Sequence, residues 1–93
     1  MTIHIPAALR EFAGGRSRIE IEREPASLHE ILADLWAIYP GLRDRVITEQ
    51  GQVRAHINIF IGDENIRYLG GLAAPVPSGA DVSIIPAVSG GSC

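Results

Sequence analysis

The residues best suited to chemistry stand together near the end of the 93-residue chain, where Ile84-Ile85-Pro86-Ala87-Val88 runs into Ser89-Gly90-Gly91-Ser92-Cys93. Glycine has no Cβ to obstruct a close approach of backbone to a ligand. A Gly-Gly segment at the end of a strand can therefore be threaded into the active site of another protein. Two more Gly-Gly pairs, Gly14-Gly15 and Gly70-Gly71, fall where turns are expected and need no such role. Cys93 is the sole cysteine, so no internal disulfide is available to the fold. No His or acid stands beside it to lower its pKa and make it a nucleophile. It reads as a removable tail residue, with a thiol handle or a cysteine-bearing adduct as the competing reading.

Elsewhere no catalytic constellation assembles. His4, His29 and His56 lack metal-ligand spacing, so we expect no metal site. Ser17, Ser27, Ser78, Ser83, Ser89 and Ser92 have no base beside them in a nucleophile motif. All eight basic residues are Arg, which excludes a phosphate-binding P-loop lysine. The lack of Lys fits an Arg-biased genome; it would also spare a chain activated at its C-terminus from attack by its own amines. The chain reads as a protein on which enzymes act, with no catalytic residue of its own and no bound cofactor.

A net charge of −3, with Arg and acids interspersed, leaves no basic footprint for nucleic acid. Hydrophobic content of 46% and charged content of 20% are those of a globular domain. No apolar run approaches a membrane span. Met-Thr-Ile-His-Ile-Pro lacks the features of a secretory signal, and the expected location is the cytoplasm.

The elements that must position the tail are legible from periodicity. Thr2 to Ile5 and Arg18 to Glu22 alternate as strands, joined across Gly14-Gly15 as an antiparallel hairpin; Ala7 to Phe12 between them is ambiguous. Ser27 and Glu30 form a capping box opening a helix to Tyr39. Leu28, Ile31, Leu32, Leu35, Trp36 and Tyr39 make one apolar stripe on it. Pro40-Gly41 should stop that helix, with a further helical turn around Leu42 to Ile47. A third strand is expected from Val53 to Ile61, then a turn at Gly62-Asp63-Glu64-Asn65 and a fourth strand at Ile66-Arg67-Tyr68. Gly70 to Pro77 should be loop, because Pro75 and Pro77 forbid an ordinary helix or central strand. A last strand carries Val82 and Ile84 inward. The expected fold is α+β, a mixed sheet of four to five strands packed on one main helix. It comprises a domain over residues 1–86 and a flexible tail over 87–93.

Parity adds a surface feature. Phe60 is out of phase with Ile57, Ile59 and Ile61, and Ile85 with Val82 and Ile84. If the in-phase residues face the helix, Phe60 and Ile85 face outward. With Val88 they form a candidate partner-binding patch leading into the tail.

The strand and helix order, Ile57-Asn58-Ile59-Phe60-Ile61, the Ile66-Arg67-Tyr68-Leu69-Gly70-Gly71-Leu72 segment and the closing Ile84-to-Gly91 run together resemble the β-grasp, ubiquitin-like sulfur carriers. That group includes the thiamine-pathway carrier ThiS and the small subunit of molybdopterin synthase, and the likeness is nearest to CysO-type carriers of cysteine biosynthesis. It spans about Thr2 to Gly91. It implies that a ubiquitin-activating-type enzyme adenylates the Gly91 carboxylate with ATP and Mg, and that a sulfur source displaces AMP. The resulting Gly91 thiocarboxylate would donate sulfur on an acceptor synthase, cysteine synthase-like or other. Val88, Ser89 and Gly90 would thread the tail, spanning with Gly91 about 13 Å when extended. This chain departs from the pattern in continuing through Ser92-Cys93, which add about 7 Å. The expectation is that a metallopeptidase removes them. The alternative from another class is a noncatalytic β-grasp interaction module with an incidental diglycine.

Overall fold

The computed structural model describes residues 1–22 and 26–86. Strand β1 (Thr2–His4) and strand β2 (Arg18–Glu20) form the expected hairpin, antiparallel with Ile3 opposite Ile19. The ambiguous segment between them is a 3₁₀ helix, Ala7–Ala13. Gly14 ends it at φ 65° and donates its N–H to the Arg10 carbonyl, a left-handed conformation natural to glycine.

A two-residue strand β3 (Ala26–Ser27) leads into helix α1 (Leu28–Ile38). The capping box forms as expected: Glu30 N–H donates to Ser27 Oγ at 3.3 Å, and Ser27 N–H donates to Glu30 Oε1 at 3.0 Å. Leu28, Ile31, Leu32 and Leu35 are buried, whereas Trp36 and Tyr39 are partly buried at the margin of the core. Pro40 does more than stop α1. It is the first residue of a second helix, α2 (Pro40–Val46), because a missing N–H costs nothing in a first turn. The chain breaks direction at Tyr39 (φ −130°, ψ 76°), and α2 buries Leu42 and Val46.

Strand β4 is Ile57–Ile61, shorter than the expected Val53 to Ile61. Val53 makes only an isolated bridge to Ile47. Ala55 and His56 are exposed in a turn closed by Ile57 N–H donating to the Arg54 carbonyl at 2.9 Å. The fourth strand is also displaced. Strand β5 is Glu64–Asn65, inside the expected turn, and Ile66–Tyr68 is 3₁₀ helix. Asn65 Oδ1 accepts from Arg67 N–H at 3.0 Å, a local bond that ends the strand.

The expected loop from Gly70 to Pro77 contains a 3₁₀ turn, Gly71–Ala73, and strand β6 (Pro75–Val76), paired among the described residues with β3 alone. Pro is tolerated there because a two-stranded edge does not need its donor. Strand β7 (Asp81–Pro86) completes a five-stranded sheet of order β2-β1-β7-β4-β5. It runs parallel to β1 and antiparallel to β4, so the sheet is mixed, as expected. One face of it, Ile3, Ile19, Ile57, Ile59, Val82 and Ile84, packs against α1 and α2 in a single core.

Candidate functional site

Strand β7 is the central strand of the sheet, and its C-terminal end leads into residues 87–93. Bonded on both sides, it is the best-anchored element from which a tail could be presented. Val82 and Ile84 point into the core, while Asp81, Ser83 and Ile85 point to the face away from the helices.

On that outer face the register sets specific neighbours. Ile85 lies opposite Asn58, and Phe60 opposite Ser83, so Phe60 and Ile85 are diagonal neighbours within reach of one another's side chains. Ile85 is 45% exposed and Phe60 is half-buried. Both expected patch residues therefore lie on one face. A row across the sheet reads Arg18, His4, Ser83, Phe60, Asn65, polar toward β2 and apolar toward β4. The polar part is knitted across strands: His4 Nε2 stands 3.4 Å from Asp81 Oδ2, and Thr2 Oγ1 donates to Glu20 Oε2 at 2.8 Å.

Beyond the patch, Asn65 Nδ2 donates to Asn58 Oδ1 at 3.2 Å. These two line an open cavity of about 270 Å³ that Arg54 and Arg67 also border. Arg54 is held by its Nε donating to the Asp44 carbonyl at 2.7 Å. Tyr68 (74% exposed) and Leu69 follow β5 in the next connection. Sequence reasoning missed this basic cavity and the exposed Tyr68. The signal for Tyr68 was present in the Asn65 cap, which takes it out of any strand; nothing in the spacing of Arg54 and Arg67 brings them together.

Val88, Ser89, Gly90, Gly91, Ser92 and Cys93, the expected threading, sulfur-carrying and removable residues, lie outside the described residues. Among the described residues no group of His, Cys, Asp and Glu comes together to hold a metal ion. His4, His29 and His56 are on β1, α1 and the turn before β4. No described helix is long and apolar enough to cross a membrane.

Residues 3–91 match the model of the ThiS family. The match ends on the second glycine of Gly90-Gly91, with Ser92 and Cys93 beyond it. The sulfur carrier protein CysO of Mycobacterium tuberculosis is 34% identical over 93 residues, covering 98% of each chain. A chain of the Amycolatopsis orientalis BexX/CysO complex superimposes with a TM-score of 0.86 at 36% identity, over 97% of this chain and 98% of that one. The small archaeal modifier protein 3 of Haloferax volcanii is 34% identical over 85 residues, 91% of each chain. The match along almost the whole length, together with a mixed five-stranded sheet that presents its central strand's end, leads to one assignment: this chain belongs to the ThiS family of ubiquitin-like sulfur carriers.

Proposed function

We propose that the chain carries sulfur as a thiocarboxylate on Gly91, formed after Ser92-Cys93 is removed, and donates it in the biosynthesis of cysteine or another sulfur metabolite. The observation that carries this reading is the end of the family match at Gly91, just beyond a strand held in the middle of the sheet. A carboxylate is a poor electrophile. Attack by Gly91 on ATP, with Mg supplied at the activating enzyme, gives an acyl-adenylate and releases pyrophosphate. A sulfur nucleophile then adds to the acyl carbon and AMP leaves, so the C–O bond to AMP is exchanged for C–S. The thiocarboxylate sulfur is a nucleophile that stays attached to protein until an acceptor synthase presents an electrophile.

In this account the chain contributes no catalytic group. It is a protein co-substrate whose work is presentation: β7 fixes the start of the tail, and the paired glycines keep it thin enough for a narrow channel. Phe60 and Ile85 form the surface on which the activating enzyme docks, close to the end of β7. The BexX/CysO complex is a precedent for a carrier of this type held by a protein partner. While Ser92-Cys93 remains attached, Gly91 has no free carboxylate, which is why a metallopeptidase is needed as a further partner.

The test is pyrophosphate release by an activating enzyme of the ubiquitin-activating type with ATP and Mg. Chain terminating at Gly91 should support it, and chain continuing through Ser92-Cys93 should not. Equal activity of both forms, or none from either, would contradict the proposal.

A further inference from the structure

Strand β2 is an open edge of the five-stranded sheet, paired among the described residues with β1 alone. The phase of its hydrogen bonds is fixed. Met1 and Ile21 exchange both backbone bonds, at 2.9 and 2.8 Å, Ile3 stands opposite Ile19, and Ile5 N–H donates to the Ser17 carbonyl at 2.8 Å. Ser17, Ile19 and Ile21 thus turn their backbone groups toward β1. By the alternation of an antiparallel ladder, Arg18 and Glu20 turn theirs outward.

The side chains along this edge read Arg16-Ser17-Arg18-Ile19-Glu20-Ile21-Glu22. The pattern is antisymmetric in charge about Ile19. We propose that β2 pairs antiparallel with β2 of a second copy, about a twofold axis through Ile19, giving a continuous ten-stranded sheet.

Three features of the edge agree on this register. Arg18 falls opposite Glu20 of the second copy, and these are the residues whose outward backbone groups must form the hydrogen-bonded pair. Arg16 and Glu22 flank β2, and Arg16 N–H is taken by the Ala13 carbonyl at 3.2 Å. They add no ladder bonds but bring opposite charges together at each end of the pairing, and opposed charges across a ladder stabilise it. The neighbouring permitted registers set Arg18 against Arg18 or Glu20 against Glu20 and are disfavoured. Charges placed only to blunt an edge against aggregation could be of either sign in any order; here the order is self-complementary. Beside the edge runs an open groove lined by Arg16, Arg18, Ile19, Glu20, Ile38 and Tyr39. Its Ile38 is 53% exposed. Pairing brings the two Ile19 residues together where opposed side chains are closest and turns the two grooves toward each other. This interface is isologous, as a twofold dimer requires. It lies apart from the Phe60–Ile85 patch, and the two Pro86 ends of β7 point in opposite directions, so both carriers stay accessible.

So short an interface belongs to the weak, transient class, and dimer should appear at protein concentrations up to about 1 mM. The experiment is sedimentation velocity over that range on the full chain and two single-sign variants, with folding checked by circular dichroism. Arg16→Glu with Arg18→Glu makes an acidic edge, and Glu20→Arg with Glu22→Arg makes a basic one. Each variant alone should self-associate about tenfold or more weakly than the unmodified chain. An equimolar mixture of the two should form heterodimer at least as readily as the unmodified chain forms homodimer. A chain that stays monomeric throughout, association that both variants retain, or variants that fail to pair on mixing would overturn the proposal.

Discussion

Ile85 on the central strand lies diagonally across the ladder from Phe60, on the face of the sheet turned away from the core. The preceding inward residue of β7, Ile84, is 2% exposed. Alternation along one strand therefore separates two jobs. Ile84 holds the strand in the fold, and Ile85 stays exposed on the outer face beside the start of the tail, where the proposed docking surface lies.

That separation predicts different outcomes for neighbouring substitutions. Ile85→Glu should raise the KM for carrier at the activating enzyme by about tenfold or more, the scale of one lost interface anchor. Its melting temperature should stay near that of the unmodified chain, because the position is exposed. Ile84→Ala should instead destabilise the fold by about 2–5 kcal/mol, read from denaturant unfolding.

Leu35 on α1 is fully buried in the hydrophobic core. Leu35→Ala should cost about 2–5 kcal/mol by equilibrium unfolding, whereas truncation of the exposed Ile38 should cost well under half as much.

The capping box makes a smaller, local contribution. Ser27→Ala removes the oxygen that accepts from Glu30 N–H and should cost about 1 kcal/mol, with Ser27→Asp restoring most of it. The same unfolding titration reads both.

At Gly14, φ is +65°, and a Cβ there would only reach van der Waals contact, 3.4 Å from Tyr39 Cε1. Gly14→Ala should destabilise by about 1 kcal/mol or more. Gly15, with a φ of +80° and open space around it, isolates the backbone contribution when its Ala variant is measured beside it.

The elements that were legible in the sequence are those whose signal is local and redundant. Helix α1 has a cap, a stripe and a stop, and all three agree. The outward placement of Phe60 and Ile85 followed from strand parity alone, which holds wherever pairing is continuous. Parity carried less where pairing ended. Val53 has the side chain of a strand residue but reaches only Ile47, and Ile66-Arg67-Tyr68 has strand-forming residues overruled by the Asn65 side chain. Pro40 both ends α1 and begins α2, because a missing N–H breaks a helix interior but costs nothing in a first turn. The cavity bordered by Arg54 and Arg67 depends on how two connections lie against β4, and no spacing encodes that.

The central claim is that the working end of this protein is Gly91. Its most direct test is the intact mass of the protein isolated from its native cell, set against the chain as encoded. The expected result is a species ending at Gly91, part of it with one oxygen of the terminal carboxylate replaced by sulfur. A protein that keeps Ser92-Cys93 while the cell is under demand for sulfur would contradict it, and the Phe60–Ile85 face would then be studied as a docking surface in its own right.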